Sequence, residues 1–206
     1  MKVIDVVQDT AVHIEVPSSD LDHIKSRINK HAVLSDDGNT AEVAVYYGIR
    51  EMQYLTRMYG DAPSPILNQY EWPGIYNPFE HQKTTAAFLA LRERAFCFNE
   101  AGTGKTSSVI WAADYLMNEG LVKRVLIVCP LSIMYSAWRA DIFKTAMHRT
   151  VDVAHGPTQK RQRIINGAYE FVIINFDGLG TVFEDVKRAN FDLIVIDEAN
   201  AYKTAS

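Results

Sequence analysis

The first part of the chain mixes short apolar runs with amphipathic segments. Runs rich in Val and Ile predict three short strands, at 3–7, 11–16 and 41–46. Apolar residues at helical spacing predict two helices, at about 18–30 and 49–58. Gly60 is placed to end the second helix. Residues 1–60 are therefore predicted to form a small α+β domain.

From residue 77 onward, runs that are apolar throughout alternate with amphipathic segments. The apolar runs predict strands at 95–98, 125–129, 151–154, 171–174 and 193–196. The amphipathic segments predict helices at 78–91, 105–118, 133–143 and 158–166. Strands without polar alternation are buried on both faces, which is typical of a parallel sheet covered by helices. We therefore predict an α/β fold with helices on both faces of a parallel sheet over residues 78–206.

A segment rich in proline separates these two parts. Residues 61–77 contain Pro63, Pro65 and Pro73, and proline does not fit a helix interior or a central strand. The segment is predicted to be a linker. Trp72 and Tyr76 within it favour packing against a surface.

Composition excludes several classes of protein. The 206 residues are 48% hydrophobic and 22% charged with a net charge of −4, which excludes a disordered chain and a uniformly basic nucleic-acid coat. Residues 1–77 carry six Lys/Arg against eleven Asp/Glu. Cys97 and Cys129 form no CxxC pair, so a zinc site is not expected. No apolar run approaches the ~20 residues of a membrane helix, so we expect a cytoplasmic protein without a membrane partner.

A glycine-rich segment, NEAGTGKT at 99–106, lies between a predicted strand and a predicted helix. In this context glycines let the backbone curl and present its N–H groups to a polyphosphate. Lys105 is predicted to bind the β- and γ-phosphates and Thr106 to bind Mg²⁺. The general pattern begins with glycine, where this chain has Asn99. The alternative is an ordinary glycine turn with a solvated lysine, which the strand–helix context disfavours.

Two carboxylates, Asp197 and Glu198, directly follow the apolar run at 193–196. Ligands of parallel α/β sheets lie beyond the carboxyl ends of the strands. We therefore expect Asp197 to face the glycine-rich segment and to hold Mg²⁺, directly or through water. Glu198 is predicted to polarise the water that attacks the γ-phosphate. An apolar strand ending in two acidic residues is a weak signal alone, and its position two strand–helix units after Lys105 strengthens it.

Five segments in order resemble motifs of the first RecA-like domain of superfamily II helicases and translocases, in particular the SWI/SNF-like branch with its bacteriophage members. The segments are NEAGTGKT at 99–106, VLIVCPLS at 125–132 with Trp138 and Asp141 after it, HG at 155–156 with Arg161 after it, INFDGL at 174–179, and DEANAYK at 197–203. In this branch Asp or Asn commonly replaces the leading glycine, which accounts for Asn99. The resemblance covers about residues 77–206. It implies a RecA-like P-loop NTPase fold and an ATP-dependent helicase or translocase with ATP and Mg²⁺ as cofactors.

The resemblance also implies roles for single residues at the nucleotide. Gln82 corresponds to a glutamine that binds adenine through its amide, which can donate and accept at once, and Phe79 is placed to stack on the base. The nucleotide-binding loop comprises Glu100, Ala101, Gly102, Thr103, Gly104, Lys105 and Thr106. The catalytic residues are Lys105, Asp197 and Glu198, with Thr106 and Asp197 as the metal ligands.

Family loops that hold the sugar-phosphate backbone correspond to two groups of residues in this chain. The first group is Pro130, Ser132, Trp138 and Arg139, and the second is Asn175 and Asp177 with Gly178. The alternative interpretation of Trp138 is that it is a half-buried residue that packs its helix. A basic cluster, Lys160, Arg161 and Arg163, adds electrostatic attraction or is a solvated helix face.

The chain departs from the family pattern in two ways. The acidic motif of the DEAD/DEAH-box type usually ends in His, and here Asn200 stands in its place, which predicts altered coupling with intact Mg²⁺ binding. The sequence stops at Ser206, whereas the family continues into a second RecA-like lobe that supplies an arginine to the γ-phosphate. We expect that lobe in cis or in trans, a nucleic acid as partner (DNA rather than RNA), and weak turnover by the 206 residues alone.

Two other functions stay open at the level of sequence. Another P-loop phosphotransferase, such as a small-molecule kinase, shares the glycine-rich segment, although Gln82 and the segments at Pro130 and Asn175 argue against it. A module that binds a nucleotide or a partner without turnover is the second alternative. Phosphorylation of small acceptors would identify the first, and measuring ATPase activity with and without DNA would distinguish the second.

Overall fold

The computed structural model describes residues 1–98 and 102–198. The chain folds into two compact units. The first comprises residues 1–71 and 83–98, and the second comprises residues 72–82 and the described part of 99–206. No helix within the described ranges is long and apolar enough to cross a membrane.

The first unit is built on an antiparallel sheet. Its strands are β1 (Lys2–Val7), β2 (Ala11–Pro17), β3 (His31–Asp36) and β4 (Thr40–Tyr46). Its helices include α1 (Leu21–Arg27), α2 (Ile49–Tyr59) and α3 (Ile66–Gln69). The strands lie in the order β1-β2-β4-β3, and this α+β architecture agrees with the prediction from sequence.

One face of this sheet supplies the core of the first unit. Alternate residues of the two central strands are buried, namely Val12, Ile14 and Val16 in β2 and Ala41, Val43 and Val45 in β4, as a half-exposed sheet requires. Strand β3 was not predicted, because its sequence, HAVLSD, has only a short apolar stretch between polar residues and no alternation. Helix α1 ends at Arg27, because Ile28 is already extended.

The proline-rich segment is divided between the two units. Helix α3 lies within it, and the Gln69 amide donates hydrogen bonds to the carbonyl oxygens of Asp9 and Tyr47 in the first unit. Trp72 belongs to the second unit, where its ring meets that of Trp111 edge-on at 5.7 Å. The packing expected of Trp72 is therefore found. The domain boundaries at residues 60 and 78 stay predictions.

The second unit is built on a parallel sheet. Its strands are β5 (Val125–Cys129), β6 (Val151–Val153), β7 (Phe171–Asn175) and β8 (Leu193–Ile196). Its helices include α5 (Lys105–Asn118), α6 (Ala140–Thr145), α7 (Thr158–Ile165), α8 (Phe176–Thr181) and α9 (Phe183–Arg188). The first turn of helix α4 (Glu80–Ala90) belongs to this unit, and the rest of the helix belongs to the first unit.

Strand register brings three chain segments to one edge of the parallel sheet. The strand order is β6-β7-β5-β8, and every residue of β5 and β7 is buried, as in a sheet covered on both faces. Cys129 pairs with Asn175, and Val128 pairs with Ile196. The segments that follow β5, β7 and β8 therefore begin side by side. This confirms the predicted α/β class.

Three details of the second part differ from the predictions. Residues 95–98 were predicted to form a strand, but the structure has none there. A strand needs a neighbour for its backbone hydrogen bonds, and the side chains of Phe96 and Phe98 are 79% and 88% exposed. The predicted helix at 133–143 consists of a 3-10 turn (Leu131–Ile133), a π-helix (Met134–Arg139) and α6. Helices α8 and α9 were not predicted, because Gly178 and Gly180 interrupt the helical pattern of that segment.

A buried ion-pair network ties α5 to the starts of β6 and β7. Asp114 on α5 is fully buried, and its carboxylate accepts hydrogen bonds from His148 Nε2 at 2.8 Å and Arg149 Nε at 2.5 Å. Arg149 also donates to the Glu170 carboxylate at 2.8 Å. Glu170 in turn accepts the backbone N–H of Thr150 at 2.7 Å. Arg149 is therefore the link between two carboxylates.

We predict that Arg149→Met destabilises the second unit by about 3 kcal/mol, because breaking a buried ion pair leaves Asp114 with a charge that is no longer balanced. Urea unfolding followed by circular dichroism measures this free energy. Arg163→Met on the exposed side of α7 is the matched control and should change it by less than about 0.5 kcal/mol. Equal losses in the two variants would contradict a structural role for the network.

Candidate functional site

The loop before α5 has the backbone geometry of an anion-binding turn. Gly102 and Gly104 have left-handed φ angles of 79° and 74°, and Gly104 is the residue that precedes the first helical position, Lys105. Around Gly102 no described atom lies within 4 Å of the position that a Cβ would occupy. The first N–H groups of a helix lack partners within the helix, so this end of the 14-residue α5 favours negative charge. Glu100 and Ala101 lie outside the described residues.

Gln82 packs against this loop, and its role in binding adenine stays a prediction. Its amide Nε2 donates to the carbonyl oxygen of Thr103 at 3.3 Å, and its Oε1 accepts the backbone N–H of Phe79 at 3.0 Å. A Cβ on Gly104 would meet the end of the flexible Gln82 side chain, which would have to move away from the loop. The left-handed φ angle is therefore the feature that favours glycine at position 104.

Phe79 presents an aromatic ring beside Gln82. Its side chain is 67% exposed, and its ring stacks on His81 with centroids 5.7 Å apart and an interplanar angle of 9°. His81 Nε2 also lies 3.1 Å from the Thr103 carbonyl oxygen. The first turn of α4 thus contacts the loop through two side chains, and the role of Phe79 in stacking on a base stays a prediction.

The acidic pair lies at the carboxyl edge of the parallel sheet. The Asp197 N–H donates to the carbonyl oxygen of Val128 at 2.9 Å, which continues the pairing of β8 with β5. Asp197 Oδ1 accepts the Glu198 N–H at 2.9 Å, and Oδ2 accepts the indole N–H of Trp138 at 3.0 Å. Glu198 is exposed and has a left-handed φ of 52°. Both residues therefore lie directly after β8, and the orientation of Asp197 towards the glycine-rich segment stays a prediction.

The negative charges of Asp197 and Glu198 affect the pKa of a residue in the neighbouring strand, β5. Burial raises the pKa of the Cys129 thiol, and the charges of Asp197 and Glu198 raise it further, to about 12. Burial is the larger cause, and the acidic pair adds to it. The sequence analysis identified Cys129 only as a small residue in an apolar run.

The two residues predicted to bind the metal carry oxygen donors. Thr106 in the first turn of α5 supplies a hydroxyl and Asp197 after β8 a carboxylate, and hard cations prefer oxygen ligands. Within residues 1–98 and 102–198, no cluster of three or more His, Cys, Asp or Glu side chains could hold a metal by itself. The hydroxyl of Thr106 and the carboxylate of Asp197 fit Mg²⁺, which keeps several waters and is usually held by one or two protein ligands together with phosphate oxygens. The metal roles of Thr106 and Asp197 stay predictions.

The residues predicted to contact nucleic acid differ in exposure. Ser132, Arg139 and Asp177 are exposed, and Pro130 is half-buried. Trp138 is only 2% exposed and its indole faces Asp197, so its burial favours the alternative reading of a packing residue over direct contact with nucleic acid. Of the basic cluster, Lys160 and Arg163 are exposed, whereas Arg161 donates to the Thr181 hydroxyl on α8 at 3.2 Å.

Asn175 lies in a tight polar cluster at the end of β7. It is 6% exposed, and its buried Oδ1 has no hydrogen-bond partner in the described part of the chain. A Cβ on Gly178 would lie 2.6 Å from this oxygen and 3.2 Å from Arg161 Nε, which is itself buried without a partner among the described residues. The sequence analysis placed Asn175 and Gly178 in one group, but it gave no sign that Arg161 joins them.

Comparison with known proteins identifies relatives of this chain. The family model described as SNF2-related domain matches residues 81–206. The chain is similar to the DNA excision repair protein ERCC-6-like of Bos taurus, with 26% identity over 144 residues that cover 62% of this chain and 11% of the relative. It is also similar to an uncharacterized ATP-dependent helicase of Mycoplasma pneumoniae, with 32% identity over 199 residues that cover 84% of this chain and 19% of the relative.

A solved structure shares the fold. The SWI2/SNF2 ATPase core of Sulfolobus solfataricus in complex with dsDNA aligns with 65% of this chain and 28% of its own, with a TM-score of 0.57 and 23% identity. This agrees with the expected RecA-like arrangement of a parallel sheet with flanking helices. The chain spans less than a fifth of the length of either curated relative.

The raised pKa of Cys129 predicts its reactivity. Because the thiol stays protonated well above neutral pH and is fully buried, iodoacetamide at pH 8 should modify Cys97, which is partly exposed, and leave Cys129 unmodified. Mass spectrometry of the peptides measures the two rates. Protein unfolded in urea serves as the control, in which both cysteines should react. Equal rates in folded protein would show that the Cys129 thiol is not buried as described.

Proposed function

Because the chain belongs to the SNF2-related domain family, whose model matches residues 81–206, we propose that it is the ATP-binding half of a nucleic-acid-dependent ATPase, a helicase or DNA translocase. The observation that carries the proposal is the loop at the start of α5, where two left-handed glycines precede Lys105. The curated relative from Mycoplasma pneumoniae is named an ATP-dependent helicase, which supports the same activity.

In the proposed reaction each residue has a separate task. The loop N–H groups and Lys105 bind the phosphates, and the lysine counters the charge that develops on the γ-phosphate. Thr106 and Asp197 would hold Mg²⁺, which would neutralise phosphate charge. Glu198 orients a water molecule and accepts its proton as it attacks the γ-phosphate. The products are ADP and inorganic phosphate.

Recognition of the base falls to the first turn of α4. The Gln82 amide is held beside the loop by Thr103 and Phe79, which supports a role next to the loop that we assign to the phosphates. An amide can donate to one ring nitrogen of adenine and accept from the exocyclic amine. To do so Gln82 exchanges its present hydrogen bonds for those to the base, and Phe79 stacks on the ring.

DNA is the proposed nucleic acid, and a second lobe is the proposed partner. The ERCC-6-like relative is named for DNA excision repair, and the solved SWI2/SNF2 core is in complex with dsDNA. The proposed DNA-contacting residues are Ser132 and Arg139 after β5 and Asp177 after β7, which are exposed, whereas Asn175 is the last residue of β7 and is buried like Trp138. A second RecA-like lobe, in cis or in trans, adds the arginine that raises turnover by roughly 10³–10⁵ in related phosphoryl transfer.

We predict that Mg·ATP at about 100 times its dissociation constant stabilises the chain by roughly 2.7 kcal/mol. Differential scanning calorimetry measures the shift. Lys105→Ala should abolish most of it, because the cation that binds the phosphates is lost, whereas Lys160→Ala on the exposed side of α7 should retain it. Absence of any shift in the wild-type chain, or an equal shift in the Lys105 variant, would refute the nucleotide site.

We predict that Arg139→Ala weakens duplex DNA binding and lowers the slope of log affinity against log salt by about one, because one phosphate contact is lost. Fluorescence anisotropy with a labelled duplex between 50 and 200 mM salt measures both quantities. Lys123→Ala is the matched control, since Lys123 is exposed but precedes β5 at the opposite edge of the sheet. Identical behaviour of the two variants would remove Arg139 from the DNA contact.

A further inference from the structure

The segment between β5 and α6 changes its helical type twice. A 3-10 turn at Leu131–Ile133 is followed by a π-helix at Met134–Arg139 and then by α6. π-Helical turns are rare and often occur at functional sites, because the wider turn rotates the following side chains away from their positions in an α-helix. Within this segment Leu131 and Tyr135 are about half exposed, whereas Trp138 is 2% exposed. Of the two side chains that this π-helix buries, Met134 and Trp138, the tryptophan is the one with a hydrogen-bond donor.

The Trp138 side chain forms a hydrogen bond with Asp197, the proposed metal ligand. Trp138 Nε1 donates a hydrogen bond to Asp197 Oδ2 at 3.0 Å across 59 residues of sequence. A buried indole N–H needs an acceptor, since leaving it without one is unfavourable. Here the acceptor is a carboxylate, and a hydrogen bond to a charged acceptor is stronger than one between neutral groups.

Asp197 is held by three hydrogen bonds, two of them to its carboxylate, which still has lone pairs to bind a metal. Its backbone N–H is fixed to Val128, its Oδ1 accepts the Glu198 N–H, and its Oδ2 accepts the indole. A carboxylate has about four lone-pair sites, so these two side-chain hydrogen bonds leave others for a metal ion or its water. The indole therefore fixes the orientation of the group without blocking it.

We propose that Trp138 is a positioning residue that orients Asp197 for Mg²⁺ and connects the segment carrying Ser132 and Arg139 to the nucleotide site. The inference rests on the proposed function. The connection is covalent and short, because the same π-helix contains Trp138 and Arg139, and the Ser136 hydroxyl donates to the Ser132 carbonyl oxygen at 3.0 Å. A rotation of this segment on DNA changes the hydrogen bond to Asp197 directly.

The chain contains a matched control for this hydrogen bond. Trp111 is also buried, at 0% exposure, and its Nε1 donates to the Pro73 carbonyl oxygen at 3.0 Å. Both tryptophans lie in the second unit. Substitution of either by Phe removes one buried N–H donor and part of a ring, so the two variants have similar structural consequences. Only one of them contacts Asp197.

The test measures the Mg²⁺ concentration that half-saturates thermal stabilisation by a fixed ATP concentration. Trp138→Phe should raise this concentration roughly tenfold, as for other groups that orient a metal ligand, with no change in ATP binding measured in EDTA. Trp111→Phe should leave the Mg²⁺ requirement at the wild-type value. An equal Mg²⁺ requirement in the two variants would overturn the role of Trp138, whereas failure of wild-type protein to bind Mg·ATP would overturn the proposed function instead.

A second measurement keeps the proposal testable if Trp138→Phe does not fold. The chain has three tryptophans, so the indole N–H region of a ¹H–¹⁵N spectrum contains three signals to assign. Addition of Mg²⁺ to the ATP-bound wild-type protein should shift the Trp138 signal and leave the Trp111 signal in place. If the protein binds Mg²⁺ and the chemical shift of the Trp138 signal does not change, the proposed coupling is contradicted.

Discussion

The parallel register of β5 with its two neighbours is the constraint on which the candidate site depends. Cys129 lies opposite Asn175, and Val128 lies opposite Ile196, so the three strands end at the same edge. Each strand is followed within three residues by a polar or charged side chain of the candidate site, because the chain leaves the apolar sheet there. A shift of one residue in this register would separate Asp197 from Val128 and from the indole that binds its carboxylate.

The sequence predicted the elements whose burial is uniform. Strands β5 and β7 are apolar at nearly every position and are buried at every position, so pattern and structure agree. The pattern was misleading at residues 95–98, where an apolar run has no paired strand in the structure. It was silent at β3, whose sequence has only a short apolar stretch and no alternation. Both differences arise because pairing partners, which no local pattern contains, decide whether an extended run becomes a strand.

Parts of the candidate site could be identified by spacing, and other parts could not. The glycines before Lys105 carry a local requirement, positive φ, which the sequence expresses directly. The hydrogen bond between Trp138 and Asp197 joins residues that no motif relates, and the contact of Arg161 with α8 likewise depends on the fold. Long-range polar contacts of this kind need complementary atoms but no particular spacing, so the sequence alone does not reveal them.

The left-handed backbone at Glu198 has an energetic consequence. Apart from glycine, only five described residues have positive φ, and Glu198 is the one that follows β8 directly. Such a conformation is unfavourable for a side chain of this kind by about 1–3 kcal/mol, and it persists only where surrounding structure imposes it. Here the hydrogen bond from its N–H to Asp197 supplies part of that restraint. The left-handed turn at Glu198 therefore lowers the stability of the fold while it sets the direction in which this side chain leaves the sheet.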